Sequence, residues 1–240
     1  RGMSSAASDV YKRQVLDRLI GFSASGLTGV WAEENTRENI YDAFRRKETF
    51  ATSGPRIKVR FFSGYNFEDS KINDLELIQK AYANNLSMGS TINIEEGRSP
   101  KFLVWATADS MGAPLQRIQI IKGWLENGEH REKVYDVACS DGLVVNSSTF
   151  RCPDNGAKVD IENCSISENL GASELKTFWV DPDFLKDQRA FYYARVLENP
   201  VCRWSTWDSI REGVKPRSDI PTTIQERAWT SPIWFEPTNS

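Results

Sequence analysis

One histidine is all that 240 residues provide. His130 lies in Asn127-Gly128-Glu129-His130-Arg131, a polar run that reads as a hairpin tip, so a solvated loop side chain is expected there. A lone histidine cannot build a Cys/His zinc cluster unless several cysteines join it. HExxH, GxSxG and a phosphate-binding glycine loop are all missing, which argues against a self-contained metallohydrolase site. No CxxC pair occurs, so zinc ribbons and thioredoxin-like redox chemistry drop out as well. No apolar run approaches the ~18 residues that a membrane-spanning helix needs. Excess charge of one sign is lacking too. With 30 basic and 33 acidic side chains the net charge is −3, and nothing electrostatic points to nucleic acid or an anionic membrane surface.

What remains has the composition of a globular protein, 40% hydrophobic and 26% charged. The most telling stretch is Gly26–Pro55, GLTGVWAEENTRENIYDAFRRKETFATSGP. Asn35, followed three positions later by Glu38, forms an N-terminal capping arrangement. Ile40, Ala43 and Phe44 give an apolar stripe, and acids precede bases along the segment as a helix dipole favours. A helix over about Thr36–Lys47 is expected, with Gly54-Pro55 turning the chain out of it. Beyond the turn, Arg56–Phe61 alternates charged and apolar side chains, the mark of a half-buried strand.

Strands dominate from there on. Phe102–Ala106, Arg117–Ile121, Lys133–Val137 and Gln188–Glu198 carry the β signal, and Gln225–Phe235 reads as an edge strand because Pro232 cannot donate to a ladder. Helical interruptions are expected after Asn73-Asp74, with Leu75, Ile78, Gln79 and Tyr82 sharing a face, and over Thr206–Arg211. The fold class that follows is mainly β, an antiparallel sandwich-like domain.

The four cysteines, Cys139, Cys152, Cys164 and Cys202, are even in number and lie mostly in a loop-rich span. This favours disulfides and an oxidising compartment, periplasmic or extracellular. Three connectivities are open. Cys152–Cys164 with Cys139–Cys202 is preferred, since the first closes a short local loop. Glu33 and Glu34 stand beside Trp31 before the helix, as general acid/base candidates or as ordinary helix-terminal acids. Trp204, Trp207, Trp229 and Trp234, with Tyr192 and Tyr193, form either a carbohydrate-binding face or core. Arg1–Gln14, RGMSSAASDVYKRQ, lacks the apolar core of a signal peptide, and SAASDVYKRQ resembles translated assembly junk at the ends of metagenomic gene fragments. Residues 1–14 are therefore set apart as a leader, with a genuine flexible tail as the alternative.

The blocks GLTGVWAEENTRENIYDAFRRKETFATSGPRIKVRFF, KFLVWATAD, LQRIQIIKGW, EKVYDVACS, QRAFYYARVLENPVCRWSTWD and IQERAWTSPIWF occur in this order. Together they resemble the C-terminal portion of the bacterial family catalogued as domain of unknown function 3604. That family is similar, more distantly, to PHP metallohydrolases. The resemblance implies a (β/α) barrel upstream, of which residues 15–55 are the terminal α-helical piece and residues 56–240 the appended sandwich. The implied barrel binds a divalent metal through His and Asp ligands and cleaves an ester, amide or phosphoester of an unknown small molecule. This segment itself is expected to bind no cofactor. Trp31, Glu33, Glu34 and Arg37 then sit at the barrel rim, and the missing barrel is the partner. Loss of that partner predicts exposed apolar side chains over Val15–Phe50. The rival readings are a non-catalytic module binding glycans through surface aromatics, and a complete small enzyme built around Glu33 and Glu34.

Overall fold

Buried and half-buried side chains alternate strictly along Ala190–Glu198, and around that strand the chain stacks as two mainly antiparallel layers. The computed structural model describes residues 22, 25–67 and 71–238. In chain order the elements are β1 (Leu27–Val30), α1 (Arg37–Arg45), β2 (Thr49–Thr52), β3 (Lys58–Gly64), α2 (Leu77–Asn84), β4 (Leu86–Ser87), β5 (Thr91–Asn93), β6 (Lys101–Thr107), β7 (Leu115–Glu126), β8 (Glu129–Cys139), β9 (Glu174–Val180), β10 (Ala190–Glu198), β11 (Val201–Cys202), α3 (Trp204–Arg211), β12 (Thr223–Ile224), β13 (Arg227–Thr230) and β14 (Ile233–Glu236). The mainly β, sandwich-like class read from the sequence is the one observed.

The larger sheet has eight strands centred on β10. β7 and then β8 lie on one side, while β13 and β14 share the other edge of β10 between them. β2 and β1 continue beyond β13, and β5 joins β14 in parallel. The smaller sheet runs β4-β3-β6-β9. Ala190, Tyr192, Ala194 and Val196 of β10 point inward, into one cluster with Val59 and Phe61 of β3 and Phe102, Val104 and Ala106 of β6. Rings knit the layers: Phe102 lies 4.7 Å from Tyr192 and 5.7 Å from Phe235. The outer face of the smaller sheet is covered by α2, whose Leu77 and Ala81 bury Phe62 and Leu103. Each such large apolar side chain contributes roughly 1.5–3 kcal/mol.

A buried ion pair sits between the layers. Lys122 Nζ donates to Asp181 Oδ2 at 2.8 Å and to the Asp183 carbonyl at 2.7 Å. Tyr192 donates to Asp181 at 2.7 Å and Tyr135 to Asp183 at 2.6 Å. Burial, together with the neighbouring carboxylates, raises the pKa of both phenols. Every charged group of this cluster has a partner, as buried charges require.

Local expectations shift in four places. The first helix is capped by Thr36, whose hydroxyl accepts from Asn39 N and Asn39 Nδ2, one residue beyond the Asn35–Glu38 arrangement. In α2 the inserted residue is Leu77, while Leu75 is 99% exposed, because the helix starts two residues later than its apolar pattern suggested. Gln225–Phe235 is not an edge strand. Pro232 divides it into β13, held between β2 and β10, and β14, held between β10 and β5. All four cysteines are disulfide-bonded, but as Cys139–Cys152 and Cys164–Cys202, which corrects the preferred pairing. The reason is local. Cys152 N–H donates to buried Asp136 at 2.7 Å, which draws Cys152 alongside the end of β8, where Cys139 waits. The hairpin tip holding His130 is as expected, turning at Asn127 and Gly128 with positive φ and leaving the imidazole exposed. The leader over residues 1–14 lies outside the described residues, as do residues 15–21.

The junction segment contributes β1, α1 and β2. A ladder from β2 to β13 joins it to the larger sheet: Ala228 pairs with Thr52, Trp229 with Ala51 and Thr230 with Phe50.

Candidate functional site

Trp31 follows directly on β1, and it is the predicted rim residue that the fold places most firmly. Its backbone N–H donates to the Glu48 carbonyl at 3.1 Å, closing the β1–α1–β2 unit. Its indole Nε1 donates to the Val59 carbonyl at 2.8 Å, tying the junction to β3 of the smaller sheet. The ring lies 5.9 Å from that of Phe50. Gly29 permits this arrangement, since a Cβ there would come within 2.2 Å of the Phe50 ring.

Alternation in β3 sends Lys58, Arg60 and Phe62 to the outer face of the smaller sheet. The Arg60 guanidinium lies 3.5 Å from the Trp31 ring centroid and donates to the Tyr82 hydroxyl at 2.7 Å. Stacking on an indole is a favoured position for a guanidinium. Tyr82 in turn donates at 2.5 Å to Glu48, a buried carboxylate that also accepts from Ser87 at 2.9 Å and pairs with Arg46 at 3.4 Å. Burial first, and the Glu48 carboxylate second, push the Tyr82 phenol up to about 12. It therefore stays a neutral donor to Glu48 at physiological pH.

Across the face, Trp105 of β6 donates its indole N–H to Glu174 at 2.8 Å, and Glu174 pairs with Lys176 at 3.3 Å. Lys176 also lies 4.8 Å from the Trp105 ring. Trp31, Lys58, Arg60, Ile78, Trp105 and Thr107 enclose a cleft of about 270 Å³. Two indoles wall it and two cations sit in it. No carboxylate pairs with Lys58 or Arg60 among the described residues.

Of the remaining predicted residues, Glu33, Glu34 and Arg37 are exposed, and none lines this cleft. No hydrogen bond or ion pair engages their side chains among the described residues. The structure brings Trp31 into a site and leaves the other three facing outward. Lys58, Arg60 and Trp105 were not singled out from the sequence. The alternation of Arg56–Phe61 already put Lys58 and Arg60 on one face, whereas the approach of Trp105 and Ile78 is tertiary. The tryptophans proposed as a face are dispersed: Trp204 and Trp207 on α3, Trp229 on β13 and Trp234 on β14.

A larger groove of about 690 Å³ opens on the far side of the larger sheet, lined by Phe191, Trp234, Leu125 and the β7–β8 hairpin. Its arginines are already paired, Arg189 with Glu236 and Arg131 with Glu126 and Glu129. No group of three or more His, Cys, Asp or Glu side chains suited to a metal ion occurs among the described residues. No helix among them is long and apolar enough to cross a membrane.

The model of a protein family described as "Protein of unknown function (DUF3604)" matches residues 3–237. No curated protein and no solved structure matches the chain.

Proposed function

Because the chain belongs to the DUF3604 family, we propose that it is the C-terminal accessory β-domain of a larger metal-dependent hydrolase and holds no catalytic centre of its own. The observation that carries this reading is the surface of the junction. Phe22, Leu27, Tyr41 and Phe44 are exposed there, Phe44 by 50%, on the segment whose sequence resembles the end of a barrel. Apolar side chains of this size, gathered on one short segment, suit a face covered by another domain. Trp31 and the β2–β13 ladder clamp that same segment to the sandwich, so a barrel seated on it would be held at a fixed place relative to the cleft.

In this reading the barrel is of the PHP or amidohydrolase kind. It holds the divalent metal, which supplies an activated water for an ester, amide or phosphoester. The residues of this chain bind and orient. Two disulfides are compatible with an oxidising compartment and support a periplasmic or secreted bacterial protein. The test is hydrolysis of p-nitrophenyl esters and phosphodiesters with added Zn²⁺ or Mn²⁺, comparing this chain with the product of the gene including all that is encoded upstream. Chelator-sensitive turnover by the longer product alone is expected. Equal turnover by this chain would refute the reading.

A second reading, a non-catalytic glycan-binding module, is favoured by the groove at Phe191 and Trp234, whose rings lie 4.9 Å apart. Retention on immobilised polysaccharides that is lost in Trp234→Ala would move it to first place.

A further inference from the structure

We propose that the cleft between Trp31 and Trp105 is a binding site for a small aromatic carboxylate. Its anionic head would meet Lys58 and Arg60, and its ring would lie against Trp105 and Ile78. The inference stands on this chain alone and does not require the hydrolase reading.

The charges around the cleft decide the sign of the ligand. Lys58 is exposed and Arg60 half-buried, and each comes from β3 with its head on the same face. The acids nearby are already engaged: Glu174 with the Trp105 indole and Lys176, and Glu48, behind Tyr82, with the Tyr82 and Ser87 hydroxyls and Arg46. Among the described residues, Lys58 and Arg60 therefore have no carboxylate partner, in a chain whose net charge is −3. Arg60 is pre-set in its position by Trp31 on one side and the Tyr82 hydroxyl on the other, so little freedom is lost when it receives an anion. A guanidinium and an ammonium side by side match a carboxylate, which accepts from both.

The walls decide the body of the ligand. Both indole N–H groups are satisfied by Val59 and Glu174, and Arg60 already covers the Trp31 ring, so the Trp105 ring offers the cleft its apolar surface and no further donor. Ile78 completes the apolar lining. A volume of about 270 Å³ suits a single ring with its carboxylate and is small for anything much longer.

The experiment is an NMR titration of the whole chain with benzoate, with benzyl alcohol as the neutral counterpart and inorganic phosphate as the anion without a ring. The indole N–H resonances of Trp31 and Trp105 report the site. Benzoate should shift both, at least tenfold more tightly than benzyl alcohol, and more weakly as salt is raised. Lys58→Gln should weaken benzoate tenfold or more while leaving thermal unfolding unchanged. Trp105→Leu should weaken benzoate but not phosphate. Equal binding of benzoate and benzyl alcohol, phosphate as tight as benzoate, or an unaltered Lys58→Gln would each overturn the assignment. The hydrolase reading fails or stands separately, on turnover by the longer gene product.

Discussion

Glu198 offers a quantitative check on the interior of this protein. It ends β10 and is 1% exposed. Its backbone N–H donates to the Glu226 carbonyl at 3.0 Å, and its Oε1 has no partner, as is also true of Glu226 Oε2. Burial, opposed by one backbone donor from Ala113 and reinforced by the charges of Glu226 and Asp109, pushes the Glu198 carboxyl from 4.5 up to about 8. The folded chain thus holds a proton that the unfolded chain releases above about 4.5. The stabilisation is complete below that pH and is lost as pH rises through about 8. At about 1.4 kcal/mol for each pH unit between the two values, the whole effect is about 5 kcal/mol. Glu198→Gln keeps the shape and removes the titration. Denaturant unfolding of both proteins from pH 5 to 8.5 isolates the group, because titrations not coupled to it cancel in the difference. The variant should gain on the wild type by several kcal/mol across that range, with most of the gain reached by pH 8. A difference that stays flat with pH would refute the argument.

Three other perturbations follow from the packing. Leu77→Ala removes the side chain that α2 inserts beside Phe62 and Leu103, and should cost about 2–5 kcal/mol in denaturant unfolding; a cost under about 1 kcal/mol would mean that α2 does not cover that face. Asp181→Ala leaves Lys122 without its carboxylate partner between the sheets and should cost about 3–5 kcal/mol, whereas Lys176→Ala in the half-exposed pair with Glu174 should cost less than about 1 kcal/mol, read by the same assay. Reduction of Cys139–Cys152 and of Cys164–Cys202 should cost about 3 and about 4 kcal/mol in the chain-entropy model, and peptide mapping without reduction should recover these two pairs and no Cys152–Cys164 peptide.

How far the sequence discloses this fold depends on how local each signal is. Arg117–Ile121 and Gln188–Glu198 were legible because period-2 alternation is written along the chain itself, and the Asn127-Gly128 turn because only a few residue types accept its backbone angles. The start of α2 was not. Leu75 and Leu77 are equally apolar, and only the hole left by Phe62, Phe67 and Leu103 selects the second. The disulfides were foreseeable as bonds but not as partners, since spacing favours the short loop while Asp136 decides where Cys152 lies. Pro232 suits an edge strand when only the sequence is seen, yet a strand can also break at a proline and continue on the far half of the same neighbour, as β13 and β14 do along β10. At the cleft, Trp31 stood out only as a rim candidate, and strand parity put Lys58 and Arg60 on one face of β3 without marking them as a site. Trp105 lay hidden in an apolar run whose two faces look alike until one packs between the sheets and the other meets α2 and the cleft.

Reading the gene upstream of residue 1 tests the proposal that this β-domain serves a metal-dependent barrel. An uninterrupted reading frame of several hundred codons carrying His and Asp metal motifs, ending at the junction that holds Trp31, is expected. An in-frame stop codon immediately upstream, with translation beginning at Met3, would contradict it.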